Sequence, residues 1–433
     1  MSREMQHSGI EWIGEIPKEW KVLPHKYIMH KKKEIQEHYS GQDIISLTMN
    51  GVIVRDLDAG GKMPLSFDGY QVVYPNNLLL CLFDIDVTPR CVGLIKNYGV
   101  TSPAYSQFVV KDGSYPPYYD YLLRYMDDNK CLLHLSKNLR SSLTETDFGQ
   151  IHTCLPPLSE QQKIANYLDK VCGEVDEMIA LQEQMIEELK AYKQSVITEA
   201  VTKGLNPDVP MKDSGIDWIG EVPEHWNLIH FYKTNWIRAR LGWKGLKADE
   251  YTETGYPFLS AFNIINDKLV WEDLNFINQE RYDESPEIKL SIGDLLLVKD
   301  GAGIGKCAVV DELPFGEATV NSSLAVVSPN REIVDSHFQY YYFKSAIFQN
   351  TIWLLKIGMG VPHLTQENMR DIIIPNPPLS EQQAIASYLD TKCAEIDVLI
   401  AIKQAKIDEL KDYKKSVIYE YVTGKKEVGG DLG

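Results

Sequence analysis

The chain has 433 residues, 44% hydrophobic and 24% charged, enough for two or three domains with real cores and ordinary for a protein in water. Its 61 acidic and 44 basic side chains leave a net charge of −17, which excludes a protein that coats nucleic acid by neutralising phosphates over its whole surface. No apolar run of about 18 residues marks a membrane span, and the start, MSREMQHSGIEW, lacks the basic and apolar regions of a secretion signal. The seven cysteines form no C-x-x-C pair, which argues against a zinc site and a disulfide framework and fits reduced thiols in a cytoplasm.

Residues 9–20 read GIEWIGEIPKEW and return as GIDWIGEVPEHW at 215–226. Trp12, Trp20, Trp218 and Trp226 are expected to anchor this leader against a neighbouring surface. Residues 21–155 follow without long helical periodicity. Runs such as YQVVYPNNLLLCLF and SQFVV between turn residues read as strands. A short amphipathic helix is expected near Tyr118–Met126.

From Pro156 the chain reads PPLSEQQKIANYLDKVCGEVDEMIALQEQMIEELKAYKQSVITEAVT, and from Pro377 PPLSEQQAIASYLDTKCAEIDVLIAIKQAKIDELKDYKKSVIYEYVT. The copies align without a gap, an internal duplication. Pro-Pro halts what precedes, and Ser159 and Ser380 stand as N-caps with Gln162 and Gln383 three residues on. Leu168, Val171, Val175, Met178, Met185, Leu189, Tyr192 and Val196 recur at spacings of three and four, a heptad seam broken at Gln182, with Cys172, Ile179 and Ile186 in a row beside it. The second copy carries Leu389, Cys393, Ile396, Ile400, Ile407, Leu410 and Val417, interrupted at Lys403. A helix of about 38 residues would span roughly 57 Å. The two stripes are expected to pair, with Gln182 and Lys403 meeting as a polar layer that fixes register.

Between the copies, residues 203–214 read as a polar linker. Residues 227–376 again show strand runs, IGDLLLVKDGAGIGKCAVV and NSSLAVV, with a short helix expected at Ser336–Ile347. Asn77-Leu-Leu-Leu-Cys matches Asp294-Leu-Leu-Leu-Val, and Leu143-Thr-Glu matches Leu364-Thr-Gln, so the two regions are expected to share a frame and differ in their loops. The tail after Thr423 reads as frayed.

Several strings mimic catalytic motifs. Asn376-Pro-Pro-Leu lacks the aromatic residue of an amino-methyltransferase motif, and its twin is Leu155-Pro-Pro-Leu. Tyr115-Pro-Pro-Tyr lacks the Asn or Asp that would hold an amino group. Asp300-Gly-Ala-Gly-Ile-Gly-Lys-Cys is one residue short of a phosphate loop and puts Cys307 where Ser or Thr would bind Mg²⁺, so a strand-to-strand turn is expected. No catalytic constellation, cofactor loop or metal-ligand spacing emerges.

The two leaders, the two PPLSEQQ motifs and the long segments after them resemble the DNA specificity (S) subunit of type I restriction–modification systems, over essentially the full length. The resemblance implies an α+β fold: two similar mixed α/β target recognition domains, separated by two long antiparallel helices forming a coiled coil with pseudo-twofold symmetry. It implies a leader and first recognition domain at 1–155, a first long helix at 156–204, linker, leader and second recognition domain at 205–376, a second long helix at 377–425 and a tail at 426–433. The seam would use Leu168, Val175, Ile179, Ile186 and Leu189 against Leu389, Ile396, Ile400, Ile407 and Leu410.

The resemblance further implies a non-catalytic subunit that reads a bipartite site on double-stranded DNA and docks two modification (methyltransferase) subunits, with restriction subunits joining. S-adenosylmethionine, ATP and Mg²⁺ would be used by those partners. A related system lacking the translocase is the nearest alternative. A methyltransferase with its own specificity domains, and a coiled-coil protein with no DNA role, are the readings from other classes. Donors in loop-like settings are the candidate DNA contacts: Arg55, Arg90, Lys137 and Arg140 in the first half, and Arg240, Lys244, Lys299, Lys306 and Asn321 in the second. Each is weighed against a solvated surface charge. Trp243 and Tyr105 could lie against the DNA backbone, with core packing the plainer reading.

Overall fold

The duplicated segments form the two longest helices of a computed structural model, Leu158–Lys203 and Leu379–Val422, of 46 and 44 residues. The structure describes residues 3–49, 51–58, 64–88, 90–136, 141–240, 246, 248–355 and 363–429. The chain divides into two compact units, Met1–Glu183 with Ala405–Gly433, and Gln184–Gln404. The boundary falls inside both long helices rather than at their ends, so each unit holds part of each.

In unit 1 the strands β1 (Met29–Lys32), β2 (Leu78–Leu80), β3 (Val92–Leu94) and β4 (Ser106–Val110) form an antiparallel sheet in the order β1-β4-β2-β3. Unit 2 repeats the order as β5-β8-β6-β7, with β5 (Asn235–Ala239), β6 (Leu295–Val298), β7 (Cys307–Val309) and β8 (Leu324–Pro329). The leucine runs are continuous because both sheet faces are covered. Leu295 and Leu297 enter the core shared with the helices, while Leu296 and Val298 enter a second core with Ile264, Ile288 and Val320. Leu78 and Leu80 face one core of unit 1, and Leu79 faces another with Ile45 and Val73.

The chain enters and leaves each variable region through paired strands. Lys21–Pro24 pairs with His152–Leu155, and Asn227–His230 with Ile373–Asn376. Both exits lead directly into a long helix. The helices start at Leu158 and Leu379, one residue before the expected caps. The Pro157 carbonyl accepts from the Glu160 and Gln161 N–H groups, and the Pro378 carbonyl from Glu381 and Gln382. Ser159 and Ser380 therefore lie inside the first turn and are not N-caps.

The PPLSEQQ motif instead works through its buried first glutamine. Gln161 Oε1 accepts from the Tyr115 N–H at 2.7 Å and its Nε2 donates to the Pro156 carbonyl at 2.8 Å. Gln382 accepts from the Asp335 N–H at 2.9 Å and donates to the carbonyls of Ile333 and Pro377. Tyr115 and Asp335 precede the side helices Pro116–Asp128 and Ser336–Lys344. Two turns along, Tyr121 Oη donates to Asp169 Oδ1 and Tyr341 Oη to Asp390 Oδ1, each at 2.7 Å. Burial and then the neighbouring carboxylate push both phenols up, which keeps them protonated and donating. Each side helix is thus bonded at two points to the start of a long helix.

Within each unit the long helices run antiparallel. In unit 1 Tyr167 packs on Tyr421, and Lys414 Nζ meets Asp176 at 2.6 Å. In unit 2 Lys193 Nζ meets Asp397 at 2.7 Å. The buried stripe runs through Leu168, Cys172, Val175 and Ile186 on the first helix, and through Leu389, Cys393, Ile396, Ile407, Leu410 and Val417 on the second. Ile179, Leu189 and Ile400 are half-buried on the same lines. Met178 and Tyr192, placed in the seam by spacing alone, are 45% and 51% exposed. The seam therefore joins Leu168, Val175 and Leu189 of the first row to Cys172, Ile179 and Ile186 of the row beside it. Gln182 and Lys403 are half-buried on it. Counting from the ion pairs, Gln182 comes level with Asp408 in unit 1 and Lys403 with Glu187 in unit 2.

Other expectations shift in detail. The linker contains a strand, Met211–Asp213, that pairs with Glu221–Pro223, as Met5–His7 pairs with Glu15–Pro17. The helix expected at Ser336–Ile347 is two, Ser336–Lys344 and Ala346–Leu355. The tail begins docked, not frayed: the Lys426 N–H bonds the Glu420 carbonyl. Gly424 there has φ +71°, and a Cβ would stand 2.4 Å from Pro17 Cδ, so only glycine fits. Of the leader tryptophans, Trp20 and Trp226 are buried, Trp12 packs half-buried on Tyr125, and Trp218 is 50% exposed.

Candidate nucleic-acid interface

Antiparallel strands in the order β5-β8-β6-β7 bring the C-terminal ends of β5 and β6 to the same edge as the N-terminal ends of β7 and β8. The four described candidates of unit 2 all fall there. Arg240 follows β5, Lys299 follows β6, Lys306 precedes β7, and Asn321 precedes β8. They come from separate stretches of sequence and share an edge only because of the strand order. Asp300–Lys306 is the expected strand-to-strand turn, closed by the Gly305 N–H on the Val298 carbonyl.

The edge holds a cleft of about 460 Å³ lined by Arg240, Lys299, Asp300, Ser322, His363 and Thr365, among others. Lys299 is 8% exposed, and its Nζ donates to Asp300 Oδ2 at 2.8 Å. The other Asp300 oxygen bonds His363 Nδ1. Burial, then the nearby Arg281 charge, pulls the Arg240 pKa below its ordinary value, and the ring of Phe258 lies beside its guanidinium. Asn321 turns its Oδ1 to the Ser323 N–H and hydroxyl, an Asx-type turn. Lys306 is exposed. His363, Asp300 and Thr365 escaped the reading of the sequence as DNA contacts. The Leu364-Thr-Gln match to Leu143-Thr-Glu was the available signal, since the Leu364 N–H bonds the Lys299 carbonyl as the Leu143 N–H bonds that of Leu82.

In unit 1 the corresponding edge carries different chemistry. Leu82 stands where unit 2 has Lys299, and Phe83 beside it stacks on Tyr105 at 6.3 Å between centroids. Arg90, in the same turn, gives Nη1 to the Met49 carbonyl and Nε to the Val92 carbonyl, and burial and Arg124 lower its pKa. Arg55 follows the separate hairpin Ile45–Val54 and is half-buried. Lys137, Arg140, Lys244 and Trp243 lie outside the described residues. Among the described residues no cluster of His, Cys, Asp and Glu could hold a metal ion, and no helix is long and apolar enough to cross a membrane.

Residues 243–412 match the family model described as type I restriction modification DNA specificity domain. The chain is 28% identical over 281 residues to the type I restriction enzyme MjaVIII specificity subunit of Methanocaldococcus jannaschii, a stretch covering 64% of this chain and 63% of that protein. It is 29% identical over 210 residues to the EcoKI specificity subunit of Escherichia coli, covering 48% and 44%. The matches thus span less than two thirds of these relatives' own lengths. A solved chain from a study of type I R-M complex assembly superposes with a TM-score of 0.73 at 16% identity, covering 95% of this chain and 99% of that one. The HsdS subunit from Thermoanaerobacter tengcongensis gives 0.51 at 15%, covering 95% and 98%. Over residues 243–412 the chain is thus similar to the type I restriction modification DNA specificity domain, and its fold is that of the solved type I specificity-subunit chain.

Proposed function

We propose that this chain is the non-catalytic DNA-recognition and scaffold subunit of a type I restriction–modification complex in the cytoplasm. Each unit reads one half of a bipartite target on double-stranded DNA. Two modification subunits dock on the chain and restriction subunits join them; those partners use S-adenosylmethionine, ATP and Mg²⁺. The observation that carries the reading is one sheet frame, repeated in both units, whose strand-end edge differs in chemistry. Two readers of different sequences need a constant frame and variable contacts. The acidic total is compatible if the partners hold most phosphates. Gln182 and Lys403, the polar interruptions of the two stripes, form the polar layer that fixes helix register.

The test is methylome sequencing of the host with and without the gene. A split methyladenine motif should be present with it and absent without it. An unchanged methylome, or methyl transfer by the isolated chain, would overturn the proposal.

A further inference from the structure

We propose that the recessed Lys299–Asp300 pair of unit 2 reads the major-groove edge of one G·C base pair. This rests on the DNA-recognition reading above and adds to it a subsite and the base pair it selects. The pair is held in place before any ligand arrives. The Lys299 N–H donates to the Ser323 carbonyl and the Lys299 carbonyl accepts from the Leu364 N–H, each at 2.9 Å. Its ammonium is fixed by Asp300 at 2.8 Å, and Asp300 is fixed in turn by His363.

The chemistry of the pair decides between phosphate and base. A phosphate contact is served by a cation alone, and a carboxylate touching that cation would repel the phosphate. A base pair presents both signs. Guanine offers the acceptors N7 and O6, and its cytosine partner offers the N4 amino donor. An ammonium with one donor spent on Asp300 keeps two for guanine. A carboxylate oxygen keeps a lone pair for cytosine. The donor and acceptor sit side by side, as they do on the base-pair edge, in a cleft whose other polar groups include Ser322 and Thr365.

Unit 1 supplies an internal control. The same backbone bond, Leu143 N–H to the Leu82 carbonyl at 2.8 Å, is present, but Leu82 and Phe83 replace the charged pair. The frame is kept and the reading chemistry at its edge is changed, as two half-sites of different sequence require.

The experiment expresses Lys299→Leu, the unit 1 residue, in the full chain with its modification subunits. It measures methyl transfer on duplexes with each target position varied, and the methylome. One G·C position in one half of the motif should lose roughly 10- to 100-fold of its discrimination, with the other half unchanged. Lys299→Gln, which keeps a polar side chain should the leucine variant fail to assemble, should move preference at that position toward adenine. Uniform loss on all sequences would identify a phosphate contact and overturn the proposal, as would an unchanged motif or changes in both halves. A wild-type complex with no split motif would overturn the DNA-recognition reading instead, an outcome seen before any variant is made.

Discussion

Unit 1 and unit 2 place the same four strands in the same order, yet one sheet edge ends in Leu82 and Phe83 and the other in Lys299 and Asp300. The contrast is sharper against the duplicated side-helix bonds, where Gln161 and Gln382 make the same contacts to the residue before a helix. Contacts that build the frame are kept in both units, and contacts at the strand ends are free to differ. The leader lies between these extremes. Trp20 donates from Nε1 to Glu160 Oε2 at 2.8 Å, and Arg3 bonds the same carboxylate. In unit 2 the equivalent Glu381 is taken by His225 at 2.9 Å, and the buried Trp226 Nε1 has no hydrogen-bond partner among the described residues.

The largest effect should come from the glutamines. Gln382→Leu orphans the Asp335 N–H and the carbonyls of Ile333 and Pro377, at about 1–3 kcal/mol for each buried group left unpaired. Unit 2 should lose about 3–5 kcal/mol. Gln161→Leu, with fewer bonds, should cost unit 1 less. Hydrogen exchange at the Asp335 and Tyr115 amides reads each loss, and equal small effects would remove the proposed role of the motif.

Next is His25, which stands in unit 1 where unit 2 has Phe231. It is fully buried against Phe148, and among the described residues neither ring nitrogen makes a well-aligned hydrogen bond, the Phe148 carbonyl being the nearest approach to one. Burial pushes its pKa down from 6.5 to about 3, with the Phe148 carbonyl opposing and His152 assisting. The folded state keeps the ring neutral while the unfolded chain protonates. Stability is therefore full above about pH 6.5 and falls as pH drops toward 3, by about 1.4 kcal/mol per pH unit. His25→Phe should recover about 2 kcal/mol at pH 5 and much less at pH 8, measured by urea unfolding. A pH-independent difference would mean that the ring titrates alike in the folded and unfolded chains.

Trp20→Phe should destabilise by about 1.5 kcal/mol more than Trp226→Phe, because only the first removes a hydrogen bond to a carboxylate. Parallel denaturation of the two variants makes the comparison, and equal losses would show that packing alone matters. The smallest effect belongs to the interhelical pairs Asp176–Lys414 and Lys193–Asp397. Their aspartates are 59% and 58% exposed, so a double-mutant cycle on either should give less than about 1 kcal/mol, reduced further by salt.

Much of the frame was legible because its signals are local. Helix-forming runs after Pro-Pro, strand runs between turn residues and gapless repeats are properties of neighbouring residues, and they announced both long helices and both halves. The caps fall two residues earlier than the serines, at Pro157 and Pro378, whose backbone carbonyls accept from the first-turn N–H groups. Met178 and Tyr192 fit the heptad spacing yet lie outside the seam, because two adjacent apolar rows satisfy the same period. Which members of each row are buried depends on the antiparallel neighbour, and that put Cys172, Ile179 and Ile186 inward beside Leu168, Val175 and Leu189, and Met178 and Tyr192 outward.

The sequence by itself determined the duplication, the element types and the candidate donors, since periodicity and composition act over a few residues at a time. Tertiary structure alone decided that Arg240, Lys299, Asn321 and His363 share one sheet edge. It also turned Arg90 onto backbone carbonyls. Strand order is a long-range choice, made by burying both faces of the sheet at once, and no short stretch of chain carries it.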